Sequence, residues 1–341
     1  MYRRILPILL ILVLLTGCAL SGTAPSPTRY KATFLTLFDT MTTVIGYSDT
    51  QEEFTEQSQR LHDELLEYHQ LFDIYNDYEG LNNLKTVNDN AGVSPVTVDR
   101  RIIDLLLDCR EYYELTGGKV NVAMGSVLYL WHVARNQGID DPANACLPDR
   151  AALEKAAKHC SFDTVVIDES ASTVFITDPE QRLDVGAIAK GWSVERVASG
   201  APTGLLISVG GNIRATGPQP DGTRWVVGVQ DPDGGEDYLH TLYLSDTSVV
   251  TSGDYQRYYL VDGVPYHHII DPDTLTSAAY WRSVTILCAD SGLADALSTA
   301  LFLLPLEEGQ ALLDSCGAEA MWVAPDGSHY YSPGFSDHIR T

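Results

Sequence analysis

The sequence predicts an α+β fold, mostly antiparallel strands with flanking helices. Three observations point there. Helical periodicity brackets a stretch dominated by short β-branched and aromatic runs, the order of an α+β chain rather than of alternating β-α-β units. Several of those runs are separated by turn signals such as Pro-Asp-Gly and Asp-Gly, which join antiparallel neighbours. No G-x-G-x-x-G follows a strand, so a parallel dinucleotide-binding sheet has no support, and no internal repeat is present.

The elements follow in order. Arg3 and Arg4 precede an apolar stretch, Ile5 to Leu15, that ends in Leu15-Thr16-Gly17-Cys18. Such a stretch falls in the ~7–15 residues of a signal-peptide core and is short of the ~20 that span a bilayer. Residues 1–17 are therefore expected to be a lipoprotein signal peptide, with Cys18 the lipidated first residue of the exported chain. Residues 18–30, Ser/Thr/Pro/Gly-rich, are expected to be a flexible tether, and 31–341 the functional domain.

Thr33 to Tyr47 reads as a strand with a break near Asp39. Glu52 to Tyr68 has helical periodicity through Phe54, Leu61, Leu65 and Leu66, and Val98 to Leu115 is a helix stopped by Gly117-Gly118. Asp149 to His159 is a third helix, opened by Pro148, and Thr164–Ile167 with Thr173–Ile176 forms a hairpin. Gly186 to Val197 is a helix after a tight turn. Strands are expected at 205–209, 225–230, 238–244, 258–261, 283–287 and 320–323, and helices at 293–304 and 306–313.

The charge of −24, from 22 basic and 46 acidic residues, argues against nucleic acid, which demands a basic surface. It also repels anionic substrates, so any such substrate needs a local cation. Six cysteines show no C-x-x-C spacing, which speaks against a zinc or thioredoxin-like site. Cys109 and Cys288 lie in apolar patterns and read as core, while Cys146 and Cys160 are left open as a pair.

Four segments carry chemistry. In Ala294-Asp-Ala-Leu-Ser-Thr299 the i, i+4 spacing sets the Asp295 carboxylate and the Thr299 hydroxyl on one helix face. Two hard oxygens suit Mg²⁺, although taken alone an Asp on an otherwise apolar helix is more often a hydrogen-bonded surface residue. Leu183-Asp-Val-Gly-Ala-Ile-Ala-Lys-Gly-Trp192 brings Asp184 and Lys190 to a helix start, where free backbone N–H groups favour an anion. In Tyr266-His-His-Ile-Ile-Asp-Pro272 strand alternation turns His267 and His268 to opposite faces, so one of them can serve as a general base. Ser208 to Gly217 places two glycines after a strand, allowing close approach to a ligand or a simple turn.

Together these segments resemble the ApbE family, the FAD:protein FMN transferases. The resemblance runs from about Phe38 to Leu304 and comprises F-D-T-M (38–41), N-V-A-M-G-S-V-L-Y-L-W (121–131), D-V-G-A-I-A-K-G, V-G-G-N, T-S-G-D-Y (251–255), H-I-I-D-P and D-A-L-S-T-A-L. It implies a flavin-transferase fold and a Mg²⁺-dependent enzyme that uses FAD as substrate. FMN would pass to a threonine hydroxyl of a partner protein, with release of AMP. The implied partners are FMN-bearing subunits of membrane redox complexes, met outside the cytoplasm by a chain lipid-anchored to the bacterial cell membrane. Carried over, His268 would be the base, and Asp295, Thr299 and the Ala187 carbonyl would hold the metal. Met41, Tyr75, Asn121, Val122, Ala123, Asp184, Lys190 and Ile270 would contact FAD.

Three positions depart from the family's pattern. Ser298 stands where a second Asp is common, leaving a weaker third side-chain ligand, and Asn121 stands where Asp is frequent. Asp271-Pro-Asp-Thr-Leu275 lacks the glycine of D-P-x-T-G, which is expected to alter that turn. Two other readings share the same residues: an FAD pyrophosphatase, with water replacing threonine, and a non-enzymatic flavin-binding lipoprotein.

Overall fold

The computed structural model describes residues 27–235 and 237–341. The signal-peptide residues and Cys18 lie outside the described residues. The chain runs β1 (Thr28–Leu37), β2 (Thr40–Ser48), α1 (Gln51–Phe72), α2 (Leu84–Asp89), β3 (Val96–Thr97), α3 (Arg100–Leu115) and α4 (Gly125–Asp140). Then come α5 (Arg150–Ala156), β4 (Val165–Asp168), β5 (Thr173–Ile176), α6 (Ala189–Gly200), β6 (Leu206–Val209) and β7 (Asn212–Ala215). Next are β8 (Trp225–Gln230), β9 (Tyr238–Leu244), β10 (Ser248–Gly253), β11 (Tyr258–Val261) and β12 (Val264–His267). The order closes with β13 (Ser283–Cys288), α7 (Ser291–Phe302), α8 (Leu306–Cys316), β14 (Glu319–Val323) and β15 (His329–Tyr331). Residues 28–30, grouped with the tether on composition, are already strand.

One eight-stranded sheet, ordered β1-β2-β6-β7-β10-β13-β14-β15, organises the molecule, and its pairings are antiparallel. Its strands alternate between two cores. Val284 and Ile286 of β13 pack with Leu297, Leu301 and Phe302 of α7, while Leu287 turns to the other face with Val249 and Met321. The β8–β9 ribbon covers that second face through Trp225, Val227, Leu242 and Leu244. β13 is thus buried along its whole length, as a central strand covered on both faces must be.

α1 starts at a capping box, Thr50 with Glu53, and buries Phe54, Leu61, Leu65 and Leu71 in the core it shares with β1, α3 and α6. It runs on to Phe72, past the expected end at Tyr68. A smaller, separate core joins Val127, Trp131 and Ala134 of α4 to Tyr259 of β11 and to Ile270 and Leu275.

α4 was not anticipated from the sequence. Its apolar residues do not fall on a narrow stripe, and it carries two glycines where helix formers would be expected. Both glycines are contacts. A Cβ on Gly125 would stand 2.5 Å from Arg182 O, and one on Gly138 would stand 2.6 Å from the Tyr259 ring. The thiols of Cys146 and Cys160 are free, and Cys109 and Cys288 are buried.

Candidate active site

A cleft of about 830 Å³ opens where α6, α7 and the 38–40 turn meet α4 and the β11–β12 hairpin. That volume lies within the range of about 300–1,000 Å³ typical of small-ligand and cofactor sites.

Asp295 sits at its floor, only 4 % exposed. It is not the surface carboxylate its helix alone suggested. Its Oδ2 accepts the Gly191 N–H at 2.8 Å and stands 3.6 Å from Lys190 Nζ. This approach needs Gly191 to be glycine: a Cβ there would lie 2.2 Å from Ser291 O and 2.5 Å from Asp295 Cβ. Lys190 Nζ also donates to Gly186 O at 3.2 Å. Thr299, one turn further along α7, lines the same floor, as does Ala187. Ser298 does not. It is fully buried, its Oγ held by Ser252 Oγ (2.8 Å) and Asp295 O (2.9 Å).

Asp184 lines the wall beside this floor. Its Oδ1 accepts the Gly186 N–H at 2.9 Å, and its own N–H donates to Val122 O at 2.8 Å. Desolvation raises its pKa, against the opposing pull of the Gly186 amide, His132, Arg257 and Lys190. Asn121 caps the turn Val122–Met124: its Oδ1 accepts from Ala123 N at 2.9 Å and its Nδ2 donates to Cys160 O at 2.8 Å. An aspartate could not make the second bond, so the amide has a use of its own here. Asn121 and Val122 line the cleft, whereas Ala123 is fully buried behind them.

Tyr75 is half-exposed at the mouth, stacked on His132 with ring centroids 5.2 Å apart. Asp73 holds the Tyr75 segment by accepting the N–H groups of Tyr75 (2.6 Å) and Asn76 (3.0 Å). Met41 is exposed just outside the lining, while its neighbours Phe38, Asp39 and Thr40 are in it. Phe38 and Asp39 form the β1–β2 turn with φ of +51° and +52°, a left-handed pair without glycine. Phe38 N donates to His69 Nδ1 at 3.2 Å. Gly210 and Gly211, at φ +57° and +93°, make the two-residue turn between β6 and β7. They place Asn212 in the lining, buried, with its Nδ2 lacking a partner.

The two histidines part company. His267 is buried: its Nε2 donates to Ala278 O (2.9 Å), its Nδ1 accepts from Ile269 N (3.2 Å), and its ring meets Phe302 edge-on. His268 opens into the cleft, and its ring makes no hydrogen bond among the described residues. It is walled by protein yet reachable by solvent. Desolvation and the charges of Arg257, His267, Lys190 and Arg135 lower its pKa to about 3, so the ring is neutral. Ile270 lines the cleft behind it. Leu275 adopts φ +59°, the left-handed conformation a glycine would favour, and its carbonyl accepts the Trp131 indole N–H at 3.1 Å. Leu275 thus holds, at a strained φ, the left-handed conformation that a glycine would take at no steric cost.

Sequence reasoning missed Arg135, Arg257, His132 and Lys119, all in the lining. Lys119 bridges Asp271 (3.1 Å) and Asp273 (2.7 Å), tying the segment after His268 to the end of α3. No local motif marks these residues. Only the excess of acid over base, which demands a local cation for any anionic ligand, pointed their way.

A family model described as the ApbE family matches residues 37–322. The chain is 36% identical over 277 residues to the FAD:protein FMN transferase of Treponema pallidum, with 75% of each protein covered. It is 32% identical over 264 residues to an FAD:protein FMN transferase of Klebsiella pneumoniae, covering 74% of this chain and 79% of that one. Its fold is similar to the crystal structure of the ApbE protein of Thermotoga maritima, with a TM-score of 0.81 and 30% identity. That likeness covers 92% of this chain and 100% of the other.

Proposed function

The chain belongs to the ApbE family, and from that premise we propose that it is an FAD:protein FMN transferase, moving FMN from FAD to a threonine hydroxyl of a partner protein with release of AMP. The observation that carries this reading is the convergence of Lys190, Asp295 and Thr299 with His268, from three separate segments between residues 190 and 299, on one cleft. A binding protein has no use for an unbonded imidazole beside two hard oxygens and a lysine.

The donor set fits magnesium. Asp295 Oδ1 makes no hydrogen bond among the described residues, and the Thr299 hydroxyl is likewise free. With the Ala187 carbonyl, these three oxygens would hold the ion and leave positions for substrate phosphate. When bound, the ion supplies positive charge against the pyrophosphate. Among the described residues no cluster of three His, Cys, Asp or Glu side chains offers an alternative site.

His268 takes the proton of the acceptor hydroxyl as that oxygen bonds to phosphorus and the bridging P–O bond breaks. Desolvation first, and then the cations around it, hold its pKa far below neutrality. A bound pyrophosphate offsets those cations and moves the imidazole back towards the range in which a base is effective. Lys190 offsets charge at the other end, and Tyr75 with His132 offers a flat surface to a ring.

Export and anchoring through Cys18 belong to the same reading, on the strength of the L-T-G-C context, and would bring the enzyme to FMN-bearing subunits of membrane redox complexes. The test incubates the purified protein with FAD, Mg²⁺ and a candidate acceptor domain. Covalent flavin is followed by in-gel fluorescence and AMP in parallel. AMP without labelled acceptor would favour the pyrophosphatase, for which solvent access to His268 is the supporting observation.

A further inference from the structure

Arg135 and Arg257 are the two arginines that line the cleft, and the reading above gives them no task. Neither meets a carboxylate. Arg135 Nη2 touches His132 Nδ1 at 3.3 Å, and Arg257 is exposed in the cleft with no ion pair among the described residues. Arg100, Arg101, Arg196, Arg214 and Arg282 form ion pairs, and of the described arginines that do not, Arg135 and Arg257 are the two that line this cleft. Desolvation and the charge of Arg257 both weaken the hold of Arg135 on its proton. Two unpaired guanidiniums that repel each other inside a cleft are relieved by an anion from outside.

Strand register says where that anion sits. Tyr258 pairs with His267, and His268 N donates to Arg257 O at 3.1 Å, so Arg257 lies directly across from His268. Opposed residues of an antiparallel pair point to the same face. On that face Tyr259 packs on Gly138 of α4, the helix that carries Arg135. The two guanidiniums and the free imidazole therefore border one volume.

We propose that Arg135 and Arg257 form a phosphate site beside His268, and that its ligand is the flavin-side phosphate of the dinucleotide. The proposal rests on the transferase reading. In that reaction the acceptor Oγ–P bond forms, the bridging P–O bond breaks, the hydroxyl proton passes to His268 and the electron pair leaves with AMP. The attacked phosphorus must lie within reach of the proton acceptor, which favours this phosphate over an acidic side chain of the acceptor. Guanidinium forks match phosphate oxygens, and charge develops on those oxygens during transfer.

The primary test, binding, needs neither metal nor turnover, and a flavin-transfer assay of the same variants accompanies it. Full-length protein in EDTA is titrated with FMN and with riboflavin, which lacks the phosphate, by flavin fluorescence. Wild type should prefer FMN. Arg257→Gln and Arg135→Gln should each weaken FMN binding about tenfold or more while leaving riboflavin nearly unchanged. Arg257→Lys should recover part of the loss. Equal affinity of wild type for both flavins, or an FMN preference that survives both substitutions, would overturn the site. A defect confined to the acceptor's KM would overturn it in favour of an acidic acceptor segment. Because the readout is binding, it stands even if no acceptor is labelled. Conversely, labelling by wild type together with unaffected arginine variants would sink this site alone.

Discussion

Asp295 accepts the Gly191 amide as well as facing the cleft, so truncating it disturbs two things at once. Asp295→Ala leaves a buried N–H unpaired, at about 1–3 kcal/mol of stability. Asp295→Asn keeps an acceptor for that N–H and removes the charge. It should fold nearly as well as wild type yet lose Mg²⁺-dependent transfer, and wild-type rates in millimolar Mg²⁺ would remove the ligand assignment. The histidines give a sharper contrast. His268→Ala should cost roughly 10²–10⁴-fold in flavin transfer, with little change in melting temperature, because its ring bonds to nothing. His267→Ala, which strand alternation alone suggests is silent, should instead destabilise by about 2 kcal/mol or more, since it breaks two buried hydrogen bonds and the Phe302 contact. Equal melting temperatures for the two variants would contradict that division of roles.

Among elements, the contact between α6 and α7 sets the floor of the site. It depends on the missing side chain of Gly191, against which Ser291 and Asp295 press. Gly191→Ala improves intrinsic helix propensity by about 1 kcal/mol, yet overpacking costs about 1–3 kcal/mol. The net expectation is a lower unfolding midpoint and a displaced Asp295, seen as weaker Mg²⁺ activation. A more stable, fully active variant would show that the helices can separate freely. The β11–β12 hairpin is the opposing element. Its Asp262-Gly263 turn, at φ +49° and +80°, suits a two-residue hairpin and fixes the register that sets Arg257 against His268.

At the scale of the whole molecule, four histidines, His132, His240, His267 and His268, have pKa values lowered chiefly by desolvation. Each binds its proton less readily in the folded than in the unfolded chain, so the unfolded chain binds more protons around and below about pH 6.5. Stability should therefore fall as pH drops through 6.5 towards the folded values. It should fall again at lower pH as carboxylates held below their usual range by hydrogen bonds, Asp73 and Asp99 among them, are protonated. Denaturant midpoints at pH 7.5 and 5.5 check the first step. His268→Gln should flatten it, and an unchanged slope would mean that His268 does not titrate with folding.

The sequence by itself determined the fold class, the antiparallel strands, the amphipathic α1 and α3, and the i, i+4 pairing of Asp295 with Thr299, because each rests on local periodicity or turn chemistry. It determined the family too, since ordered motifs survive in linear order. Tertiary structure decided what periodicity does not encode. α4 is held by close contacts at Gly125 and Gly138 rather than by a polar–apolar stripe, and β7, β10 and β15 are recognised by their partners in a sheet. Burial turned Asp295 from a surface carboxylate into a cleft floor, sent Ser298 to Ser252, and put Ala123 behind the lining. Arg135 and Arg257 stand 122 residues apart in the chain, and nothing local ties either to His268. Only the packing of a helix against a hairpin brings their charges together, because electrostatic neighbourhood is a property of space and not of order along the chain.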